Sequence, residues 1–378
     1  MIKTIKAINL LHKPFLVIPL PYKDELFSSW FARLSYAHHL HPKTFINLYF
    51  GVKNRGEFRK NIDTSLSINT LNQIKTMCKD KINPLSLTLK IYSGYLQENE
   101  IKMASNRFLS TLKFCPVCLR EDKAYFRKHW KLTFVTACSI HKCYLYDSCP
   151  QCKSKLSILK MHHNELGFAF CSICGFQFQK AKEQTIPKKY FDGLNQQNNF
   201  LKILEKGYVQ YQQHIVYSFC LFDTVIQLTK ILLIQKNILF IHKDPLFRLL
   251  EDACSKKYNT SKSTYLQLST IENYALFGII GFLFERYPQN MKKYIMLNNK
   301  TYGNMIREIK YLSFWYDNLI NDIVPRYIAF GDFVTKEEVE NGIEYLKSQH
   351  KDITKANLSR LFENISHFAK HTYNMELM

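Results

Sequence analysis

The chain has 378 residues, of which 46% are apolar and 22% are charged, and its formal net charge is +21. This composition argues against wholesale disorder, and the length suggests roughly two or three domains. The positive charge attracts polyanions, so nucleic acid is the expected partner ahead of an acidic protein or a membrane surface.

The first predicted element is a helix that begins near Asp24. Leu26 and Trp30 are four residues apart and would lie on one face of it, with Asp24 as the N-cap. After a short break, Pro42 is a favoured first residue for a second helix, and Gly51 would end that helix. Two short helices joined tightly predict a helix-turn-helix, although any α-hairpin packed in a helical domain gives the same pattern.

The densest motif is a series of four pairs, each with two residues between a cysteine and the next cysteine or histidine. In a reducing compartment such clustered cysteines indicate metal rather than disulfides. A two-residue spacer aims two ligands at one ion, and two such turns complete a tetrahedron. Joining neighbouring pairs predicts two sites: Cys115, Cys118, Cys138 and His141 in the first, and Cys149, Cys152, Cys171 and Cys174 in the second.

Closed sites rich in sulfur are typical of structural zinc, so we expect two structural zinc ions and no zinc-dependent hydrolysis. Three alternatives stay open. An iron–sulfur cluster would fit the second site, Cys143 could replace a ligand of the first, and a cross-braced RING would pair alternate motifs. The seven residues between His141 and Cys149 are more than a RING normally has, which favours the sequential pairing.

The predicted fold class is mainly α with a small β/zinc-ribbon insert. Residues 1–110 are predicted to form an N-terminal helix-turn-helix-like domain, and residues 111–180 a double zinc-binding module with short strands. The polar residues 181–195 are predicted as a linker. Residues 196–378 are predicted to form a C-terminal helical domain with a second helix-turn-helix near 335–365.

Two helices of the C-terminal domain are predicted individually. Asn273 to Tyr287 is apolar nearly all round, which is typical of a buried helix. Thr335 to Gln349 opens with a capping box, and a second amphipathic helix follows a break at 350–352. Its polar residues Lys355, Asn357 and Arg360 are the predicted contacts to nucleic acid or a partner, although core packing alone produces such helices more often.

No apolar run is long enough for a bilayer, and the N-terminus lacks a signal-peptide cleavage site, so we expect a cytoplasmic protein beside the nucleoid. The sequence has no glycine-rich nucleotide loop followed by Lys-Ser or Lys-Thr and no hydrolase motif. These patterns favour a non-catalytic binding or adaptor protein.

Residues 19–21 (PLP), 24–34 (DELFSSWFARL) and 114–119 (FCPVCL) form a specific string, which continues through Trp130 and the pairs from Cys138 to Cys152. The string resembles the TniQ/TnsD family of bacterial transposon target-selection proteins over roughly residues 15–180. The resemblance carries the family's zinc ligands onto the eight residues of the two predicted sites. One departure is Lys142, which follows His141 where the family has a glycine.

The resemblance implies a protein that neither cuts nor joins DNA. It would mark the insertion site and recruit a TnsC-like AAA+ ATPase, which in turn recruits the transposase. The length resembles short members that sit on a CRISPR RNA-guided Cascade complex, some as a homodimer, whereas longer TnsD members bind an attachment sequence directly. The alternatives are a zinc-dependent transcriptional regulator, a RING-type ligase, and a nuclease with scattered carboxylates.

Overall fold

A computed structural model provides the structure of the chain. The residues it describes are 10–52, 55–59, 61–96, 109, 111–121, 124–161, 169–211, 214–234, 245–246, 248–249, 268–298, 300–307, 309, 312–324, 336–354, 357–358 and 361. The predicted mainly helical fold with cysteine-rich modules is confirmed.

The elements follow one another in this order. The helices are α1 (Phe27–Ala37), α2 (Pro42–Phe50), α3 (Arg55–Arg59), α4 (Ile62–Ser65), α5 (Ile68–Met77), α6 (Pro116–Arg120), α7 (Phe191–Lys206), α8 (Ser218–Ile234), α9 (Thr270–Glu285), α10 (Gln289–Leu297), α11 (Tyr302–Ile306), α12 (Phe314–Ile323) and α13 (Lys336–Ser348). The strands are β1 (Ala137–Cys138), β2 (Cys143–Tyr144), β3 (Tyr208–Tyr211) and β4 (His214–Tyr217), and they form two antiparallel hairpins.

The predicted N-terminal helix pair is present, but its predicted first cap is wrong. Helix α1 begins at Phe27 with Leu26 as the N-cap, and no side chain caps it. Asp24 has a left-handed φ of 60°, and its carboxylate pairs with Arg127 instead of with a helix end. Helix α2 begins at Pro42, and Gly51 ends it at a φ of 80°, as predicted.

An aromatic core holds the N-terminal helices together. Phe31 on α1 lies 5.6 Å from Phe45 on α2, measured between ring centroids, and Phe15 packs on Phe45 at 5.4 Å. Helix α1 is buried nearly all round, whereas α2 buries one face and exposes Lys43 and Leu48 on the other. Burial of these rings is the main stabilisation available to such short helices.

The cysteine-rich segment and the C-terminal helices share one core. The Phe134 ring, just before β1, lies 5.4 Å from that of Phe222 on α8 and 5.8 Å from that of Phe200 on α7. The ring of Phe277 on α9 lies 6.3 Å from the same Phe134 ring, measured between centroids. The segment that carries the metal-ligand candidates is therefore packed directly against the helices that follow it.

Helix α7 begins inside the predicted linker, so residues 191–195 are helical. The physical reason is a close helix contact at Gly193, where an added Cβ would lie 2.7 Å from the Tyr274 ring on α9. On the facing helix, a Cβ added to Gly281 would lie 2.4 Å from Gln196. Gly193 therefore permits close packing, a role that local sequence does not distinguish from a loop glycine.

Helix α9 confirms the predicted buried helix. Twelve of its residues are buried, from Thr270 to Phe284, and Ser269 with Glu272 forms a capping box at its start. Among the described helices, none combines the length and apolar character that a bilayer span requires. The domain boundaries remain predictions.

Candidate functional site

The first candidate metal group contains Cys115, Cys118, Cys138 and His141. Cys115 caps the short helix α6, Cys138 ends β1, and His141 lies in the turn between β1 and β2. The His141 Nδ1 atom lies 3.3 Å from Cys118 Sγ and 3.5 Å from the other two sulfur atoms. The three cysteines are buried, so this group lies within the fold rather than on its surface.

The second nitrogen of His141 faces a carboxylate. His141 Nε2 lies 3.0 Å from Glu121 Oε1, one residue beyond α6. A carboxylate there fixes the ring so that Nδ1 points at the three sulfur atoms. Glu121 is a functional candidate that sequence reasoning missed, because an acidic residue three positions after a ligand has no distinctive pattern.

Cys143 lies beside the first group without completing it. Its sulfur is 3.5 Å from Cys115 Sγ, because β2 pairs Cys143 with Cys138 across the hairpin. The four ligand atoms of the group lie within 4.8 Å of one another, and Cys143 is outside that set. Hydrogen bonding from Cys118, then from Cys138 and Cys143, lowers the pKa of the Cys115 thiol, which favours a thiolate at the centre of the cluster.

The second candidate group contains Cys149, Cys152, Cys171 and Cys174. Cys149 Sγ lies 3.7 Å from Cys174 Sγ, and Cys152 Sγ lies 3.6 Å from Cys171 Sγ. The Ser154 hydroxyl contacts Cys152 and Cys171 at 3.1 and 3.3 Å, another contact that the sequence did not reveal. Cys152 and Cys174 are exposed, so this group is more open to solvent than the first.

The distances fit a tetrahedral ion of the size of zinc. A metal–sulfur bond of about 2.3 Å at tetrahedral angles separates two sulfur atoms by about 3.8 Å. The sulfur pairs Cys118–Cys138, Cys149–Cys174 and Cys152–Cys171 lie 3.6 to 3.7 Å apart. The structure thus assembles the eight predicted side chains into two groups that could hold metal ions, with the neighbouring pairs together.

The turns that present the ligands use left-handed residues. Lys142, Lys153 and Gly175 each follow the second member of a pair, with φ values of 50°, 60° and 72°. Glycine adopts this conformation without the steric cost that a side chain carries. Lys142 adopts this conformation where the resemblance leads us to expect a glycine, so the turn is kept in spite of the side chain.

The family-like string forms a buried ion pair at the start of α1. The Glu25 carboxylate is buried and accepts hydrogen bonds from Arg33 Nε at 2.9 Å and Arg33 Nη2 at 2.7 Å. The Ser29 hydroxyl donates to the same carboxylate at 2.9 Å, and Arg33 stacks over the Tyr22 ring at 4.1 Å. The spacing of four residues places Glu25, Ser29 and Arg33 along one side of the chain.

The start of α1 also contacts the segment between Cys118 and Cys138, which separates the two pairs of the first metal group. The Phe126 amide donates to Ser29 Oγ at 3.0 Å, and the Phe126 carbonyl accepts from the Leu26 amide at 2.8 Å. The Asp24 carboxylate accepts from Arg127 at 3.1 Å. Burial lowers the pKa of His129 to about 4, so Arg127 rather than His129 supplies the charge opposite Asp24 at neutral pH.

A glutamine on α7 anchors the other side of the first group. The Gln197 side-chain oxygen accepts from the Thr136 and Ala137 amides at 2.8 and 3.0 Å, and its nitrogen donates to the Ala137 carbonyl at 2.9 Å. These bonds satisfy backbone groups beside the ligand Cys138, where buried amides need partners. Contacts from α1, which precedes the first group in the chain, and from α7, which follows it, therefore both hold the segment that carries the group.

The predicted C-terminal contact residues are only partly described. Lys355 and Arg360 lie outside the described residues, as does the predicted cap Thr335. The helix predicted before them, from Thr335 to Gln349, is confirmed as α13. The Asn357 side-chain amide donates a hydrogen bond to the Asp352 backbone carbonyl at 2.8 Å. At least one of its two hydrogens is therefore used within the local turn.

The chain was compared with known families and proteins. Residues 16–145 match the TniQ family model, a range that contains the buried ion pair and the whole first metal group. The search of curated proteins finds no match. The second metal group lies beyond the matched range. The chain therefore carries a TniQ domain over about a third of its length, and that domain implies a transposition-associated, DNA-related role.

Proposed function

We propose that this protein is a non-catalytic target-selection adaptor of DNA transposition. It marks the insertion site and recruits a TnsC-like AAA+ ATPase, and it does so in association with an RNA-guided Cascade complex. The observation that carries the proposal is the TniQ match over residues 16–145, whose characteristic residues interlock around the first metal group.

The two groups act as structural zinc sites in this proposal. Each offers four protein ligands, which leaves no open position for a reacting water, and thiolate predominates in both. Cys115, Cys118 and Cys138 hold the cation within the core, while Glu121 orients His141. The zinc would supply cross-linking of short loops that bury little apolar surface of their own.

Direct reading of DNA is the second candidate, either at an attachment site or as a transcriptional regulator. The net charge of +21 and the exposed Lys43 at the start of α2 favour it, because a helix start beside a cation suits a phosphate. In this case the chain itself, without a guide RNA, would select the DNA sequence.

A reconstitution on immobilised target DNA tests the proposal. The full chain is combined with the AAA+ ATPase encoded in the same gene neighbourhood, with and without the neighbouring guide-RNA complex, and retained ATPase is measured. We expect retention that requires this chain and the RNA complex. Retention that needs the chain but no RNA supports direct DNA reading.

The control is DNA of scrambled target sequence, which carries the same phosphate charge. Equal retention on both DNAs, or no retention with a folded, zinc-loaded chain, contradicts the adaptor proposal. A DNA cleavage product formed by the chain alone with a divalent metal contradicts its non-catalytic nature.

A further inference from the structure

A cavity of about 600 Å³ lies between the N-terminal helices and the loop after the first pair of the second metal group. Helices α2, α3 and α4 line one side, and residues 155–160 line the other. This volume suits a ligand of nucleotide size and is far larger than a single inorganic anion needs. The cavity uses none of the eight metal-ligand candidates.

The charge of the lining is strongly positive. Lys43 and Arg55 come from the helical side, and Lys155 and Lys160 come from the opposite loop. Among the described lining residues, Asp63 is the one acidic side chain, and it is already neutralised. Its buried carboxylate accepts from Lys131 Nζ at 3.1 Å and from the Ser28 amide at 2.8 Å. The four other cationic side chains named above therefore have no further carboxylate in the described lining to pair with.

Part of the lining is apolar, with one aromatic ring. Ile46, Phe58, Leu112 and Ile158 are buried and face the cavity, which gives it a wall that a purely ionic ligand cannot use. Phe58 lies in a cluster with Phe31 and Phe50, at ring-centroid distances of 5.6 and 4.9 Å. Apolar and aromatic walls favour a flat base, and cations favour its phosphate.

We propose that this cavity binds a nucleoside phosphate unit, with the base against the apolar wall and the phosphate among Lys43, Arg55, Lys155 and Lys160. The unit is either a free nucleotide or an unpaired nucleotide of a single strand. The test below measures nucleotide binding and not retention of the ATPase, so a negative result leaves the proposed function testable on its own.

The test uses the full zinc-loaded chain with thymidine 5′-monophosphate, followed by calorimetry, and with fluorescein-labelled hexathymidine, followed by anisotropy. Lys155→Ala/Lys160→Ala is expected to weaken binding by about tenfold, the loss typical of a charged hydrogen bond. Leu159→Trp fills the cavity without changing charge and is expected to weaken binding at least as much. Thr111→Trp, at an exposed lining position, repeats this obstruction if Leu159→Trp fails to fold.

The matched control is Lys188→Ala/Lys202→Ala, which removes the same charge from exposed positions outside the lining. It is expected to change binding by less than about twofold, because distant surface charges are screened. Binding of the mononucleotide identifies a free-nucleotide site, and binding of the hexamer alone identifies a single-strand site.

Three results overturn the proposal. The first is a loss of binding affinity in Lys188→Ala/Lys202→Ala equal to that in Lys155→Ala/Lys160→Ala, which would mean that the ligand is attracted by the overall positive charge. The second is unchanged binding in both tryptophan variants while they retain the parental melting temperature. The third is competition by inorganic phosphate or an acidic peptide as effective as that by the nucleotide, which would mean that no base is recognised.

Discussion

The two metal groups have the same two-residue spacing within each pair but different surroundings. The first group buries its three cysteines, and the interlocked ion pair and Gln197 hold the segments on either side of it. The second exposes Cys152 and Cys174 and lies beyond the matched TniQ region. Spacing therefore predicts a ligand set, whereas the surrounding core determines how much of the fold depends on that set.

The largest expected effect comes from Cys118→Ser in the first group. A structural zinc site contributes an apparent ~10–16 kcal/mol, which matches or exceeds the ~5–15 kcal/mol stability of a typical domain. We therefore expect loss of the cooperative melting transition, measured by circular dichroism with zinc content determined in parallel.

Cys174→Ser is the matched variant in the second group. Because Cys174 is exposed, we expect loss of one zinc ion while the melting transition of the N-terminal core remains. Equal unfolding by the two variants would show that the groups support one cooperative unit and would remove the contrast between them.

Arg33→Ala tests the ion pair that adjoins the first group. It leaves the buried Glu25 carboxylate without its charge partner, and breaking a buried pair costs about 3–5 kcal/mol. Urea denaturation of the full chain measures this change. Glu25→Leu/Arg33→Met is the control and should restore most of the loss, and a loss below about 1 kcal/mol for Arg33→Ala would contradict a structural role for the pair.

Glu121→Gln tests whether the carboxylate beside His141 contributes to the metal affinity of the first group. Removing the carboxylate that faces His141 Nε2 should weaken zinc binding at the first group by about 10–100-fold. Competition with a chromophoric chelator measures the affinity. Glu183→Gln, which alters an exposed carboxylate paired with Arg120, is the control and should leave both groups unchanged.

The smallest expected effect concerns the turns. Lys142→Gly relieves a side chain at a φ of 50° and should stabilise the first group by up to about 1 kcal/mol. Gly175→Ala adds a side chain at a φ of 72° in the second group and should destabilise it by a similar amount. Thermal melting of the zinc-loaded proteins checks both signs, and a destabilising Lys142→Gly would mean that the lysine side chain has a role of its own.

The metal groups could be predicted from the sequence because their signal is local. Each pair sits on one tight turn, so a spacing of two residues nearly fixes its geometry. The long-range partners were not predictable. The role of Asp24 depends on Arg127, which lies 103 residues away, so the capping pattern at Asp24 was misleading.

That residues 191–195 of the predicted linker are helical was not predictable for a similar reason. Gly193 resembles a loop glycine in sequence, but its function is to let α7 approach Tyr274 on α9. The buried helix α9 was predictable because its apolar character extends all round. Which helix packs against it is a tertiary fact that composition and periodicity do not contain.

Native mass spectrometry of the full chain tests most directly the claim that the two groups are separate, closed zinc sites. We predict two zinc ions per chain for the parent protein and one for Cys174→Ser. An iron–sulfur mass, fewer than two zinc ions in the folded parent, or loss of both ions from folded Cys174→Ser would contradict the account.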